Sequence, residues 1–134
     1  SKFIYRTPQI HSFHLSNSDQ DVFLKLESMQ ITGSFKLRGA VNKLLSLSDK
    51  QKRKGVIAVS TGNHGKGVAY AAKQLGIRSK IFMSKLVPLY RRKAIESLGA
   101  EVEIIGKNSD EADKYAKDYS INNQIELIHP FDDN

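Results

Sequence analysis

Four short apolar runs punctuate the chain: Val56-Ile57-Ala58-Val59, Lys80-Ile81-Phe82-Met83, Val102-Glu103-Ile104-Ile105 and Ile125-Glu126-Leu127-Ile128. Their starts lie 24, 22 and 23 residues apart. That is the length of a strand, a helix and two turns, so the pattern predicts successive βα units and a parallel sheet. The intervening segments carry the helical period. Val68, Ala71, Ala72 and Leu75 fall at i, i+3, i+4 and i+7, and Ala112, Tyr115, Ala116 and Tyr119 repeat the spacing, so each set makes one buried stripe. Pro88 suits the start of a further helix with Tyr90, Ala94, Ile95 and Leu98 on its inner face and Gly99 at its end, leaving Arg92, Lys93 and Glu96 in water. Right-handed crossovers place such helices on the faces of the sheet. The expected fold class is therefore α/β, a three-layer α/β/α arrangement around four parallel strands.

The first 54 residues follow a different rhythm. Val22-Phe23-Leu24-Lys25-Leu26 reads as a strand, and Leu37, Ala40, Val41, Leu44 and Leu45 form the apolar face of a helix beginning near Ser34. Ser48 followed by Gln51 is a capping-box pattern for a short basic helix closed by Gly55. The change of rhythm divides the chain into residues 1–47 and an α/β part, residues 48–134.

With 134 residues, 40% of them hydrophobic, the chain has material for one core. Its net charge of +7 is unevenly spread, +13 over residues 1–100 and −6 over residues 101–134. Two basic clusters, Lys50, Lys52, Arg53, Lys54 and Arg91, Arg92, Lys93, could meet phosphates, which makes a non-catalytic basic binding module one alternative. No nucleic-acid motif accompanies them, and a charge run is ordinarily a solvated face, so no nucleic-acid partner is expected. The absence of cysteine excludes a disulfide scaffold and a thiolate zinc site. The four histidines have no carboxylate set at ligand spacing, so no metal is expected. No run approaches the ~18 apolar residues of a membrane span and no leader opens the chain. The expectation is a cytoplasmic protein without a membrane partner.

Two segments could carry chemistry. In Thr32-Gly33-Ser34-Phe35-Lys36-Leu37-Arg38-Gly39-Ala40, Ser34 as N-cap places Lys36 in the first helical turn, where the helix dipole opposes a cation by ~0.3–1 kcal/mol. Propensity does not choose lysine there. A solvated lysine at a helix start satisfies the local pattern, and so does a lysine that reacts with a carbonyl compound, which must be neutral when it attacks. The second segment, Ser60-Thr61-Gly62-Asn63-His64-Gly65-Lys66-Gly67, follows a predicted strand and opens a predicted helix, a junction suited to a phosphate or carboxylate. Its glycines miss the dinucleotide fingerprint, standing at 1, 4 and 6 instead of 1, 3 and 6, and Ser60 stands where a P-loop needs glycine. A tight turn without a ligand also fits the segment.

Taken together, SFKLRGA and STGNHGKG, 24 residues apart from Lys36 to Ser60, resemble the pyridoxal-phosphate enzymes of fold type II, the tryptophan-synthase-β superfamily. Within it they resemble the serine/threonine dehydratase group, because Leu37 and His64 stand where cysteine and threonine synthases usually carry an acidic residue and a threonine. Arg6-Thr7-Pro8, Leu24-Lys25-Leu26-Glu27, Leu98-Gly99-Ala100-Glu101-Val102 and His129-Pro130-Phe131-Asp132-Asp133 extend the resemblance, and Met83–Pro88 looks most like the ectoine-utilisation branch.

The resemblance implies that Lys36 is the catalytic residue, forming a Schiff base with pyridoxal 5′-phosphate and shuttling the substrate Cα proton. Phe35 would pack beside the cofactor ring and Asn63 would hydrogen-bond its 3′-oxygen. Ser60, Thr61, Gly62, Asn63 and His64 would grip the substrate carboxylate. The implied reaction is a threonine/serine ammonia-lyase yielding a 2-oxoacid and ammonia. A racemase of the same family is the alternative, with Thr61 where family racemases carry a serine. The family cups the cofactor phosphate with a Gly-rich loop in its second half, whereas all nine glycines here lie between Gly33 and Gly106. The implied organisation is a fragment. Residues 1–47 would open the large cofactor domain with its lysine helix, and residues 48–134 would form the small domain. Such a fragment is expected to be inactive alone, and a full-length family member to be a dimer.

Overall fold

The computed structural model describes residues 2–131, so Asp132 and Asp133 of the His129–Asp133 stretch lie outside the described residues. Strands β1 (Gln9–His11) and β2 (Phe23–Lys25) are followed by a single 3-10 turn (Glu27–Met29) and helices α1 (Lys36–Ser46) and α2 (Asp49–Lys54). Then come β3 (Val56–Val59), α3 (Asn63–Leu75), β4 (Ser79–Met83), α4 (Leu89–Glu96), β5 (Glu101–Ile104), α5 (Ser109–Asn123) and β6 (Glu126–Leu127).

The α/β part is a four-stranded sheet in the order β5-β4-β3-β6, parallel throughout, with Val56 opposite Ser79 on one side and Glu126 on the other. Apolar residues on both faces mark β3 as a strand covered by helices on either side. Val56 and Ala58 join a core with α1, α3 and Ile95, whereas Ile57 faces Phe82 and Ala116 of α5 on the other side. The chain steps from β3 outward to β4 and β5, then returns to lay β6 against the free side of β3. Right-handed crossovers running in opposite directions put α3 and α4 on one face and α5 on the other. The three-layer α/β/α expectation holds.

Local chemistry explains most boundaries. Both halves of the Ser48–Gln51 capping box are made, and the Gly55 amide closes α2 on the Gln51 carbonyl at 3.1 Å. Helix α1 buries Leu37, Ala40, Val41 and Leu44, and its two leucines, fully buried, each contribute about 1.5–3 kcal/mol. Leu45, expected on that face, is 48% exposed, because α1 meets its neighbour α3 along one stripe only. Tyr90, expected inside α4, is 67% exposed. Its hydroxyl accepts from Arg91 Nε at 3.1 Å on the open side of the helix, and Ile95 carries the buried contact. The N-cap of α1 is Phe35, not Ser34, although Ser34 Oγ still accepts from the Lys36 amide at 3.2 Å.

Helix α1 shares the core of β3 and α3, so the change of rhythm at residue 47 is not a gap between cores. The antiparallel β1–β2 hairpin contributes to neither core among the described residues. The charge asymmetry is partly neutralised inside the sheet: Lys80 lies 2.8 Å from Glu103 and 3.0 Å from Glu101, and the hydrogen bond to Glu103 does most to push its pKa up.

Candidate functional site

In an open parallel sheet, ligands gather beyond the carboxyl ends of the strands where the winding reverses. Here the reversal falls at β3, and Ser60 is the first residue past its end. Ser60 turns its side chain back on the following loop, so that Oγ accepts from the Gly62 amide at 3.1 Å and the Gly65 amide at 2.8 Å. Gly65 makes this possible. A Cβ there would stand 2.7 Å from Ile95 Cδ1 and 3.0 Å from Ser60 Cβ. The N-cap of α3, Gly62, supplies no side-chain cap, and the first turn contains no acidic residue. The result is a helix N-terminus with partial positive charge that the chain does not neutralise itself.

Lys36 approaches this loop from α1. Its Nζ donates to the Pro130 carbonyl at 2.8 Å and lies 4.0 Å from the Phe131 ring centroid and 5.1 Å from that of Phe35. The amine stands between two clefts. One, of about 670 Å³, is lined by Lys36 together with Ser60, Thr61, Gly62, Asn63 and His64. The other, of about 280 Å³, is lined by Phe35, Lys36, His64 and Phe131 among others. Residues from four separate stretches of sequence therefore meet at one amine.

Not every expected residue faces the larger cleft in the same way. Thr61 and Asn63 are exposed on its wall, whereas His64 is buried, and its Nε2 donates to the Ile128 carbonyl at 2.9 Å. That bond ties α3 to the segment after β6. Phe35, 58% exposed, presents its ring beside Lys36 but in the smaller cleft. Sequence reasoning missed Arg91, which donates to the Thr61 carbonyl at 3.3 Å, and the Pro130 carbonyl, a backbone group no motif announces.

Behind the lysine, Arg38 forks onto Glu27, Nε to Oε2 at 2.9 Å and Nη2 to Oε1 at 2.8 Å, and Thr7 Oγ1 donates to Glu27 Oε1 at 2.6 Å. The bonds from Arg38 and Thr7 hold the Glu27 carboxyl down at about 2, from an ordinary 4.5. The carboxylate in turn raises Arg38 further. Among the described residues, no group of three or more His, Asp or Glu side chains converges for a metal, and no helix is long and apolar enough to cross a membrane.

The family model for pyridoxal-phosphate dependent enzymes matches residues 1–134. The chain belongs to that family. It is 49% identical over 133 residues to the catabolic L-threonine dehydratase TdcB of Staphylococcus aureus (strain USA300), covering 98% of this chain and 38% of that protein. Among solved structures, processed threonine deaminase isoform 2 from Solanum lycopersicum superposes with a TM-score of 0.90 at 37% identity, over 98% of this chain and 38% of that one. Serine racemase from Dictyostelium discoideum superposes with a TM-score of 0.87 at 32% identity, over 98% of this chain and 43% of that one. The chain thus spans well under half the length of these relatives.

Pyridoxal 5′-phosphate is the cofactor of this family, and the residues present fit its reactive end. The Lys36 amine opens onto both clefts, with an aromatic face beside it and the exposed Asn63 amide on the opposite wall. A Cβ added at Gly62 would meet nothing within 4 Å, so the cleft beside that backbone is open space. The glycines that line the two clefts are Gly39 and Gly62, a pair far apart in sequence and not a phosphate cup.

Proposed function

We propose that this chain carries the lysine and the substrate loop of a pyridoxal-phosphate-dependent threonine/serine ammonia-lyase, which converts the hydroxyamino acid to a 2-oxoacid and ammonium. The observation that carries the reading is the meeting of Lys36 with the Ser60–Asn63 loop across one cleft. When bound, the cofactor supplies an electron sink for the pair left at the substrate Cα. Everything else falls to the protein.

Lys36 Nζ is the base that takes the Cα proton and the group that returns one. The Pro130 carbonyl orients one of its N–H bonds, and the rings of Phe35 and Phe131 hold it on an apolar wall. The substrate carboxylate sits at the start of α3, where the helix end attracts an anion and the Ser60 hydroxyl, already accepting two amides, has its own proton to donate. Asn63 faces the cofactor ring and Thr61 stands beside the reacting carbon. His64 supports the wall through Ile128. The hydroxyl leaves the substrate with a proton as water, and water re-enters when the released enamine hydrolyses, so the balance is hydroxyamino acid to 2-oxoacid and ammonium.

Within residues 1–47 we assign the β1–β2 hairpin and its flanks, which lie outside both cores, to the large cofactor domain, with α1 bridging to the small domain. The full-length protein is proposed to be a cytoplasmic dimer. The racemase reading rests on Thr61, which is exposed on the cleft, and on the likeness to a serine racemase.

Two measurements test this. Borohydride trapping of the chain with pyridoxal phosphate, followed by peptide mapping, should modify Lys36 well above exposed lysines such as Lys114, and Lys36→Ala should remove that adduct. In the full product of the gene, L-threonine should yield 2-oxobutanoate and ammonium. Trapping with no preference for Lys36 would overturn the assignment, and D-amino acid without 2-oxoacid would install the racemase.

A further inference from the structure

The first turn of α1 has little reason to form. Lys36 and Arg38 place two cations at the positive end of the helix, Gly39 follows, and the N-cap Phe35 offers no capping side chain. Cations there cost ~0.3–1 kcal/mol each, and glycine about 1 kcal/mol relative to alanine. Yet this turn carries the reacting lysine. Three contacts hold it from outside.

The first is the Glu27 carboxylate, gripped by both arms of the Arg38 guanidinium. The second is the N-terminal segment, which Arg38 Nη2 reaches at the Tyr5 carbonyl, 3.2 Å, and at Thr7 Oγ1, 3.3 Å. That segment is itself tied down: Gln30 accepts from the Tyr5 amide at 2.8 Å and donates to its carbonyl at 3.1 Å, and Lys25 Nζ donates to the Thr7 carbonyl. The third is Gly67 of α3, where a Cβ would stand 3.2 Å from the Lys36 carbonyl carbon and 3.2 Å from the Leu37 amide nitrogen. Glycine lets the two backbones touch at the residue that carries the amine.

Positions 36 and 38 are separated by about 200° around a helix, so a side chain at 38 is anchored on the side opposite the one at 36. We propose that Glu27 and Arg38, with Thr7, form a clamp that positions Lys36 for its reaction, and that Arg38 and Glu27 are positioning residues of this site. The depressed carboxyl of Glu27 keeps the clamp charged at every pH at which the lysine can react. The inference rests on Lys36 being the reacting lysine.

The experiment traps the chain with pyridoxal phosphate and borohydride and reads the ratio of adduct at Lys36 to adduct at Lys114, an exposed lysine on α5. Arg38→Met and Glu27→Gln should bring that ratio down about five- to tenfold, toward unity. Arg38→Lys, which keeps the charge and loses the fork, should fall in between. A small acylating reagent, which reads exposure alone, should show no fall at Lys36 in the same variants. Hydrogen exchange of the amides at residues 36–38 should quicken while that of β3 does not. An unchanged ratio in variants that circular dichroism shows to be folded overturns the clamp. Should Arg38→Met not fold, Thr7→Val and Arg38→Lys are read by the same criterion. A ratio of unity already in the parent chain would instead overturn the functional reading itself.

Discussion

Helices α3 and α5 both begin at the carboxyl edge of the sheet and both lend residues to the larger cleft, yet their first turns are finished in opposite ways. In α5, Asn108 caps the Glu111 amide at 3.0 Å, Glu111 accepts from the Lys107 amide at 2.8 Å, and Asp110 adds a second negative charge. That helix carries its own anions. In α3 the cap is a glycine, the first turn has no acid, and the internal acceptor is the uncharged hydroxyl of Ser60. A helix start becomes a place for a foreign carboxylate only where the chain withholds its own.

The comparison can be broken at several points. Gly65→Val pushes two methyl groups into Ile95 and Ser60. It should cost about 1–3 kcal/mol of stability by overpacking, read in urea denaturation, and abolish selective trapping at Lys36. A well-folded variant that still traps would show that the loop need not be tight. Gly62→Asp gives α3 the kind of cap that α5 has. In the full gene product it should raise the half-saturating concentration of L-threonine about tenfold, worth ~1.4 kcal/mol, while leaving the helix as stable or more so. An unchanged value would mean that the carboxylate binds elsewhere. Ser60→Ala and Asn108→Ala each remove an amide acceptor and should each lower stability by about 1 kcal/mol. Only the former should weaken substrate binding, and equal effects on binding would erase the distinction between the two helices.

The smallest effect concerns the clamp behind Lys36 and is a matter of slope. Glu27 is lowered from 4.5 to about 2 on folding, so its contribution is complete above pH 4.5 and is lost as the pH falls toward 2. The urea midpoint of the parent chain should therefore decline across that window more steeply than that of Glu27→Gln. Parallel curves would show that the ion pair persists in the unfolded chain.

What could be read from residues alone follows the range of the interaction. Period and spacing announced β3, α3, β4 and α5 because burial repeats locally, and the Ser48–Gln51 box spans only three residues. The three-residue strand β1 escaped notice because Gln9-Ile10-His11 has no apolar face to mark it. Tyr90 was misplaced because the helical period reports which residues share a face, not whether a neighbour covers its end. At the site, the residue types at 36 and 60–63 stood out. Their meeting, the Pro130 carbonyl and the fork of Arg38 on Glu27 did not, since each depends on where distant backbone arrives.

The position of β6 has a consequence for the order of assembly. During synthesis β3 can pair with β4 early, but its other edge waits until Glu126 and Leu127 are made. The residues just beyond them supply the carbonyls that receive His64 and Lys36. A nascent chain therefore keeps an unpaired strand edge, an invitation to wrong partners, and holds its lysine unengaged over the same interval. One event, the docking of the last strand, ends both states, so the reactive amine is seated only in a chain whose sheet has already closed.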